Sequence, residues 1–92
     1  MIVSFKHKGL KSFYQTGSTA GILVLHRKKL RMQLAALDTA VKIQDLDLPG
    51  YHLHQLSGNR QNTWSIRVSG NWRLTFMFEQ GEVHVLNYED YH

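Results

Sequence analysis

Residues 88 to 92 read Tyr-Glu-Asp-Tyr-His, which places an acid, a phenol and an imidazole, Asp90, Tyr91 and His92, in immediate succession. Groups of these types can orient a substrate, donate protons and accept them. They follow a strand-like stretch, Val83-His84-Val85-Leu86-Asn87-Tyr88. That continuity predicts side chains anchored by a sheet, since the segment lacks the composition of a disordered tail. Other chemistry is poorly supported. His52 and His54 alternate along one strand face, but a third metal ligand would have to come from Asp90 or His92, and no i, i+4 His pair or carboxylate cluster reinforces the site. Ser65 and Thr75 are hydroxyls without triad spacing. No glycine-rich phosphate loop is present.

An Arg, His, Tyr and Asp set working without a metal suits one reaction. RNA carries its own nucleophile, the 2′-hydroxyl, which can attack the adjacent phosphate. The protein then needs only to accept that proton, protonate the leaving 5′-oxygen and stabilise the extra charge on the phosphorane. Histidine transfers protons near neutral pH, and arginine matches the phosphorane oxygens. DNA lacks the 2′-hydroxyl and would be inert.

The charge pattern points to a polyanion. Residues 1–37 contain Lys6, Lys8, Lys11, Arg27, Lys28, Lys29 and Arg31 and no acid, and residues 48–78 contain Arg60, Arg67 and Arg73, again without one. Such segregation favours nucleic acid more than the net charge of +4 does. With no cysteine, disulfides and thiolate metal sites are excluded. Met1 to Phe5 leads into Lys6-His7-Lys8, which is not the order of a secretory signal. The apolar run from Ala20 to Leu25 is too short to span a bilayer. A soluble, cytoplasmic protein of one domain, residues 1–92, is expected.

The elements that must position these groups follow from periodicity. Ile2–Phe5 reads as a short strand, and Leu10, Phe13 and Tyr14 as a helix ended near Gly17. Leu23, Leu30, Leu34, Leu37 and Val41 form one stripe of a second helix, frayed or absent around Gly21, whose polar face carries His26, Arg27, Lys28, Lys29 and Arg31. Leu48-Pro49-Gly50 is a break. Four antiparallel strands are then predicted: Tyr51–Leu56, Thr63–Val68, Trp72–Glu79 and Val83–Tyr88. The fold class is α+β, with helices on one face of the sheet.

Alternation sets the register. Pairs Val68/Trp72, Ile66/Leu74 and Trp64/Phe76 keep the apolar sets together, with a three-residue turn at Ser69-Gly70-Asn71. Trp64 and Trp72 are core residues in this scheme. Arg67 then opposes Arg73, a repulsion that an anionic partner would offset. Pairs Phe78/Val83 and Phe76/Val85 bring Tyr88 beside Arg73 on the open face, with Asp90 and His92 at the same parity. Tyr88 and Tyr91 are the candidates for stacking on bases.

Four ordered blocks carry a family resemblance: Leu56-Ser57-Gly58-Asn59-Arg60, Trp64-Ser65-Ile66-Arg67-Val68, Asn71-Trp72-Arg73-Leu74-Thr75-Phe76, and Asn87-Tyr88-Glu89-Asp90-Tyr91-His92. Together with the opening Met1 to Leu10, they resemble the HigB toxins of the RelE/ParE superfamily over essentially the whole chain. The resemblance implies a small RelE-like domain, with an N-terminal strand and two helices packed on a mainly antiparallel sheet. It implies a bacterial toxin that cuts messenger RNA in the A site of the 70S ribosome, near 16S ribosomal RNA, without metal or other cofactor. It also implies a cognate helix-turn-helix antitoxin of HigA type, DNA contact only through that antitoxin, and no membrane partner. By the same resemblance His54, Arg73, Asp90, Tyr91 and His92 are the catalytic set. His54 acts as general base and His92 as general acid, or the reverse; Arg73 stabilises the phosphorane, and Asp90 and Tyr91 orient. Lys6, Lys8, Lys11, Arg27, Lys28, Lys29, Arg31, Arg60, Arg67 and Tyr88 are the RNA- and ribosome-binding candidates. Asn62, Ser57 and His52 depart from residues common in the family, at loop or contact positions.

Two other readings use the same residues. A superfamily toxin that inhibits DNA gyrase by binding would need no His54/His92 pair. A non-toxic RNA-binding module would need only the basic surface.

Overall fold

A computed structural model describes residues 1–60 and 62–90. Helix α1 spans Lys8–Thr16 and α2 spans Arg27–Thr39. Four strands follow, β1 (His54–Gln55), β2 (Thr63–Ser69), β3 (Trp72–Glu79) and β4 (Glu82–Asp90), in the spatial order β1-β2-β3-β4 with every neighbour antiparallel. The N-terminal segment lies parallel to β4 through isolated bridges at Ile2/Val83 and Phe5/Leu86. The α+β class and the mainly antiparallel sheet agree with the sequence reading.

Helix α1 starts at His7, whose Nδ1 accepts a bond of 2.9 Å from the Leu10 amide, in the place a Ser or Asp commonly fills. It ends at Gly17, whose φ of 81° suits a residue without Cβ. Leu10 and Phe13 turn inward. In α2, Leu30, Leu34 and Leu37 form the buried stripe. The predicted stripe is shorter than expected, because Leu23 and Val41 are 45% and 77% exposed. Leu23 is extended before the helix, and Ala40 turns to ψ 133° after it, so neither keeps helical phase. The segment between the helices is held by backbone contact: a Cβ built on Gly9 would lie 2.7 Å from the Gly21 Cα.

Strand β1 is only two residues long, not the six predicted. Gly50 and His52 adopt left-handed φ values of 83° and 49°, which turn the chain before pairing starts. Tyr51 still accepts from the Arg67 amide at 2.6 Å.

Two bulges decide which residues share a face. Between β2 and β3 the turn has two residues, Gly70-Asn71, and pairs Ser69 with Trp72; a register shift between Arg67 and Ser69 restores Arg67/Arg73, Ile66/Leu74 and Trp64/Phe76. The predicted Val68/Trp72 pair is therefore replaced, while the three pairs below it form as expected. The β3–β4 hairpin turns through Gln80 and Gly81, with φ of 51° and 79°, the signature of a type I′ turn. Phe78/Val83 pairs as predicted, but a second shift falls between Thr75 and Met77. Val85 takes φ 55° there and is 45% exposed. Beyond this bulge Leu74 pairs with Tyr88, Arg73 with Glu89 and Trp72 with Asp90. The Phe76/Val85 pair and the placement of Tyr88 beside Arg73 are thus overturned.

The core lies between the helices and one sheet face, around Leu10, Leu30, Leu37, Ile66, Leu74 and Phe76. Trp64 and Trp72 pack against it, as expected. Tyr88 joins it, 4% exposed and stacked on Trp72 with centroids 4.5 Å apart. His26, placed by sequence on the polar helix face, is also buried: it precedes the helix, and its Nδ1 lies 2.6 Å from the Tyr88 hydroxyl. Burial lowers the pKa of His26 and raises that of Tyr88.

Candidate active site on the open face of the sheet

The face without helices carries the polar side chains in two rows. His54, Ser65, Thr75 and Asn87 are successive partners across the four strands, and Arg67, Arg73 and Glu89 form the adjoining row. Neighbouring strands are about 4.8 Å apart and residues two apart on one strand about 6.7 Å, so both rows fit within reach of one or two nucleotides. His54 is exposed, and Arg67 and Arg73 are partly exposed.

Glu89 is the centre of the polar network. Its carboxylate accepts from Arg60 Nη2 at 2.7 Å and Nη1 at 3.3 Å, and from the Thr75 hydroxyl. Burial opposes ionisation of Glu89. The hydrogen bonds from Arg60 and Thr75, the Arg60 charge and a bond with Asn87 outweigh it and hold the pKa below the usual carboxylate value. A polar hollow of about 140 Å³ adjoins this network, lined by Lys6, Arg60, Thr63, Thr75 and Asn87 among others. Ser65, fully buried, has no hydrogen-bond partner for its hydroxyl among the described residues.

The sequence-predicted residues divide accordingly. His54, Arg60, Arg67 and Arg73 share the open face, and Lys6 borders the hollow. Asp90 is exposed at the end of β4 but pairs with Trp72, not at the parity of Arg73. Tyr88 is in the core and offers no ring face for stacking. Lys8, Lys11, Arg27, Lys28 and Arg31 are exposed on α1 and α2, which cover the other sheet face, so the fold does not gather them with His54 and Arg73. Lys29 holds its ammonium 5.5 Å from the Tyr51 ring centroid, and the Arg31 guanidinium lies 5.8 Å from that of Phe13. Tyr91 and His92 lie outside the described residues.

Thr75, considered from sequence only as a hydroxyl without triad spacing, keeps the face that alternation in β3 gives it; Glu89 and Asn87 are the site-face residues that sequence reasoning missed. The one signal for them is the adjacency of Val85 and Leu86, two apolar residues in a row where strict alternation allows one. A bulge there flips the parity of everything after it.

A two-helix layer over an antiparallel sheet, with a basic polar open face, is the arrangement expected of a RelE-like domain. A family model described as the RelE-like toxin of the type II toxin-antitoxin system HigB matches residues 3–92, and the chain belongs to that family. It is 48% identical to "Endoribonuclease HigB" of Proteus vulgaris over 92 residues, all of both chains. It is 33% identical to "Toxin HigB-1" of Vibrio cholerae serotype O1 over 83 residues, 88% of this chain and 87% of that one. No helix among the described residues is long and apolar enough to cross a membrane.

Proposed function

We propose that this toxin is a ribosome-dependent endoribonuclease that cuts messenger RNA in the A site by attack of the 2′-hydroxyl on the adjacent phosphate. The observation that carries the reading is the shared face of His54, Arg67 and Arg73, two strand spacings across and one row apart. An imidazole at one edge and paired guanidiniums near the centre match a reaction that needs proton transfer beside a phosphorane. The full-length likeness to an endoribonuclease supports the same reading.

His54 takes the 2′-hydroxyl proton as general base. The 2′-oxygen then attacks phosphorus, and Arg73 binds the phosphorane oxygens, where a planar fork of donors matches developing charge. His92 protonates the leaving 5′-oxygen, leaving a 2′,3′-cyclic phosphate, while Asp90 and Tyr91 orient the imidazole and the nucleotide. The two histidines can exchange roles without altering the balance of protons. Arg67 and Lys6 hold flanking phosphates. The cations of α1 and α2, on the far side from the open face, grip ribosomal RNA, and a co-expressed helix-turn-helix antitoxin of HigA type restrains the toxin in the cytoplasm.

The test is incubation of purified protein with a defined messenger RNA, with and without programmed ribosomes, followed by mapping of the ends. Cuts at A-site codons that require ribosomes and leave cyclic or 3′-phosphate ends are expected. Cutting without ribosomes would remove ribosomal positioning from the account. Absence of cutting by folded protein would overturn the reading in favour of a toxin that only binds.

A further inference from the structure

The open face binds RNA in the proposed function, yet a carboxylate with several hydrogen bonds, Glu89, sits on it. Glu89 opposes Arg73 across the β3–β4 pair, but its oxygens go to Arg60 and Thr75. Arg60 belongs to the single turn Gly58–Arg60 in the loop between β1 and β2, whereas Glu89 is on β4. The bridge therefore runs from that loop across β2 and β3. Beneath it Ser65 and Thr75 are 0% and 2% exposed, although they lie on the face without helices. The turn follows β1 directly, so what fixes Arg60 also ties down the backbone that leaves the strand bearing His54.

A surface ion pair of this exposure, 39% and 22% for the two side chains, contributes little stability by itself. A negative charge on an RNA-binding face also repels phosphate. Both costs are explained if the carboxylate acts on geometry. Arg60 is a long side chain in a short loop, and a two-point carboxylate contact removes most of its rotational freedom before RNA arrives.

We propose that Glu89 is a positioning residue for cleavage: it fixes Arg60, and with it the turn Gly58–Arg60, across the sheet so that the guanidinium is preset for the RNA backbone on the open face. The inference rests on the endoribonuclease reading. Glu89 transfers no proton and touches no substrate; it acts through Arg60.

The experiment is a double-variant cycle on ribosome-dependent cleavage using Glu89→Gln, Arg60→Lys and both together, with thermal midpoints and hydrogen exchange of the loop measured in parallel. Each single variant is expected to lower kcat/KM by about 10- to 100-fold, the scale on which a misoriented group acts, mainly through a raised KM and with the pH profile of kcat unchanged. Because both act through one ion pair, the double variant should be no worse than the weaker single. Loop exchange should accelerate in all three while the thermal midpoint stays near that of the parent chain. Multiplicative losses would overturn the proposal, since Glu89 would then act independently of Arg60. So would loss of one limb of the kcat–pH profile in Glu89→Gln, which would make it a proton-transfer group, or tighter RNA binding by that variant, which would make the bridge inhibitory. If Glu89→Gln fails to fold, Arg60→Lys decides, and wild-type activity in Arg60→Lys with a loosened loop refutes the idea. Absence of cleavage by the parent chain would instead sink the endoribonuclease reading, and loop exchange would still report whether Glu89 holds the loop.

Discussion

Arg73 on β3 and Glu89 on β4 face each other across the open sheet, and that pairing depends on one bulged residue, Val85, between them and the hairpin turn. A β-branched residue with φ 55° is strained by about 1–3 kcal/mol. Half exposed, it gains little from burial in return. The strain is maintained because it turns Tyr88 into the core and Glu89 outward.

Val85→Gly should relieve the strain without altering the bulge. Glycine loses roughly 0.5–1 kcal/mol more chain entropy, so a net gain of about 1 kcal/mol in urea unfolding is expected, with cleavage unchanged. A decrease of more than that amount would mean Val85 is not strained in solution.

Arg73→Ala and His54→Ala should preserve the fold and suppress cleavage. Removing an oxyanion-type donor costs about 100- to 1,000-fold, and removing a general base about 100- to 10,000-fold. Single-turnover rates on programmed ribosomes, with circular dichroism as a control, measure both. Cutting at parental rates in either variant would remove that residue from the mechanism.

Gly9→Ala should destabilise by roughly 1–3 kcal/mol, the usual cost of overpacking, because the new Cβ meets Gly21 backbone at 2.7 Å with no flexible side chain to yield. Denaturant midpoints report it; an unchanged midpoint would show that the segment between the helices is loosely held.

His7 and His26 both have pKa values lowered by burial from the ordinary 6.5. The unfolded chain therefore binds protons first as pH falls. Their neutral forms support the fold fully above about pH 6.5, and stability declines below it until the folded-state values are passed. Glu89, held low, adds a decline only below its ordinary 4.5. Unfolding measured between about pH 8 and pH 5 should show the first decline, and His26→Gln should flatten part of it. A flat parental profile over that range would contradict the neutral His26–Tyr88 pair.

Charge reversal at Lys28 and Arg31 should weaken ribosome binding. The log–log slope of its salt dependence should fall by about one unit for each phosphate that is no longer neutralised, with cleavage at saturating ribosome spared. Unaltered affinity would confine RNA binding to the open face.

Much of this arrangement is legible in the residues. Periodicity at Leu10 and Phe13 and at Leu30, Leu34 and Leu37 determines both helices, and the turn residues of Ser69-Gly70-Asn71 and Gln80-Gly81 mark both hairpins, although the first closes with two residues where alternation called for three. Alternation in β2 and β3 is enough to set Arg67 opposite Arg73 and to keep Trp64 inward. The HigB-like blocks around Arg60, Arg73 and Asp90 identify the family before any coordinate is known. Local pattern ends where packing overrides it. A helix stripe does not say which turn is the last, so Leu23 and Val41 fall outside the core, and His26 enters it because Tyr88 offers a hydroxyl partner there. Strand parity is transmitted residue by residue until a bulge interrupts it. Only the tertiary fold decides that Val85 is that interruption, because the choice depends on whether Leu86 and Tyr88 find space beneath the helices. That single decision buries Tyr88 and delivers Glu89 to Arg60 and Thr75.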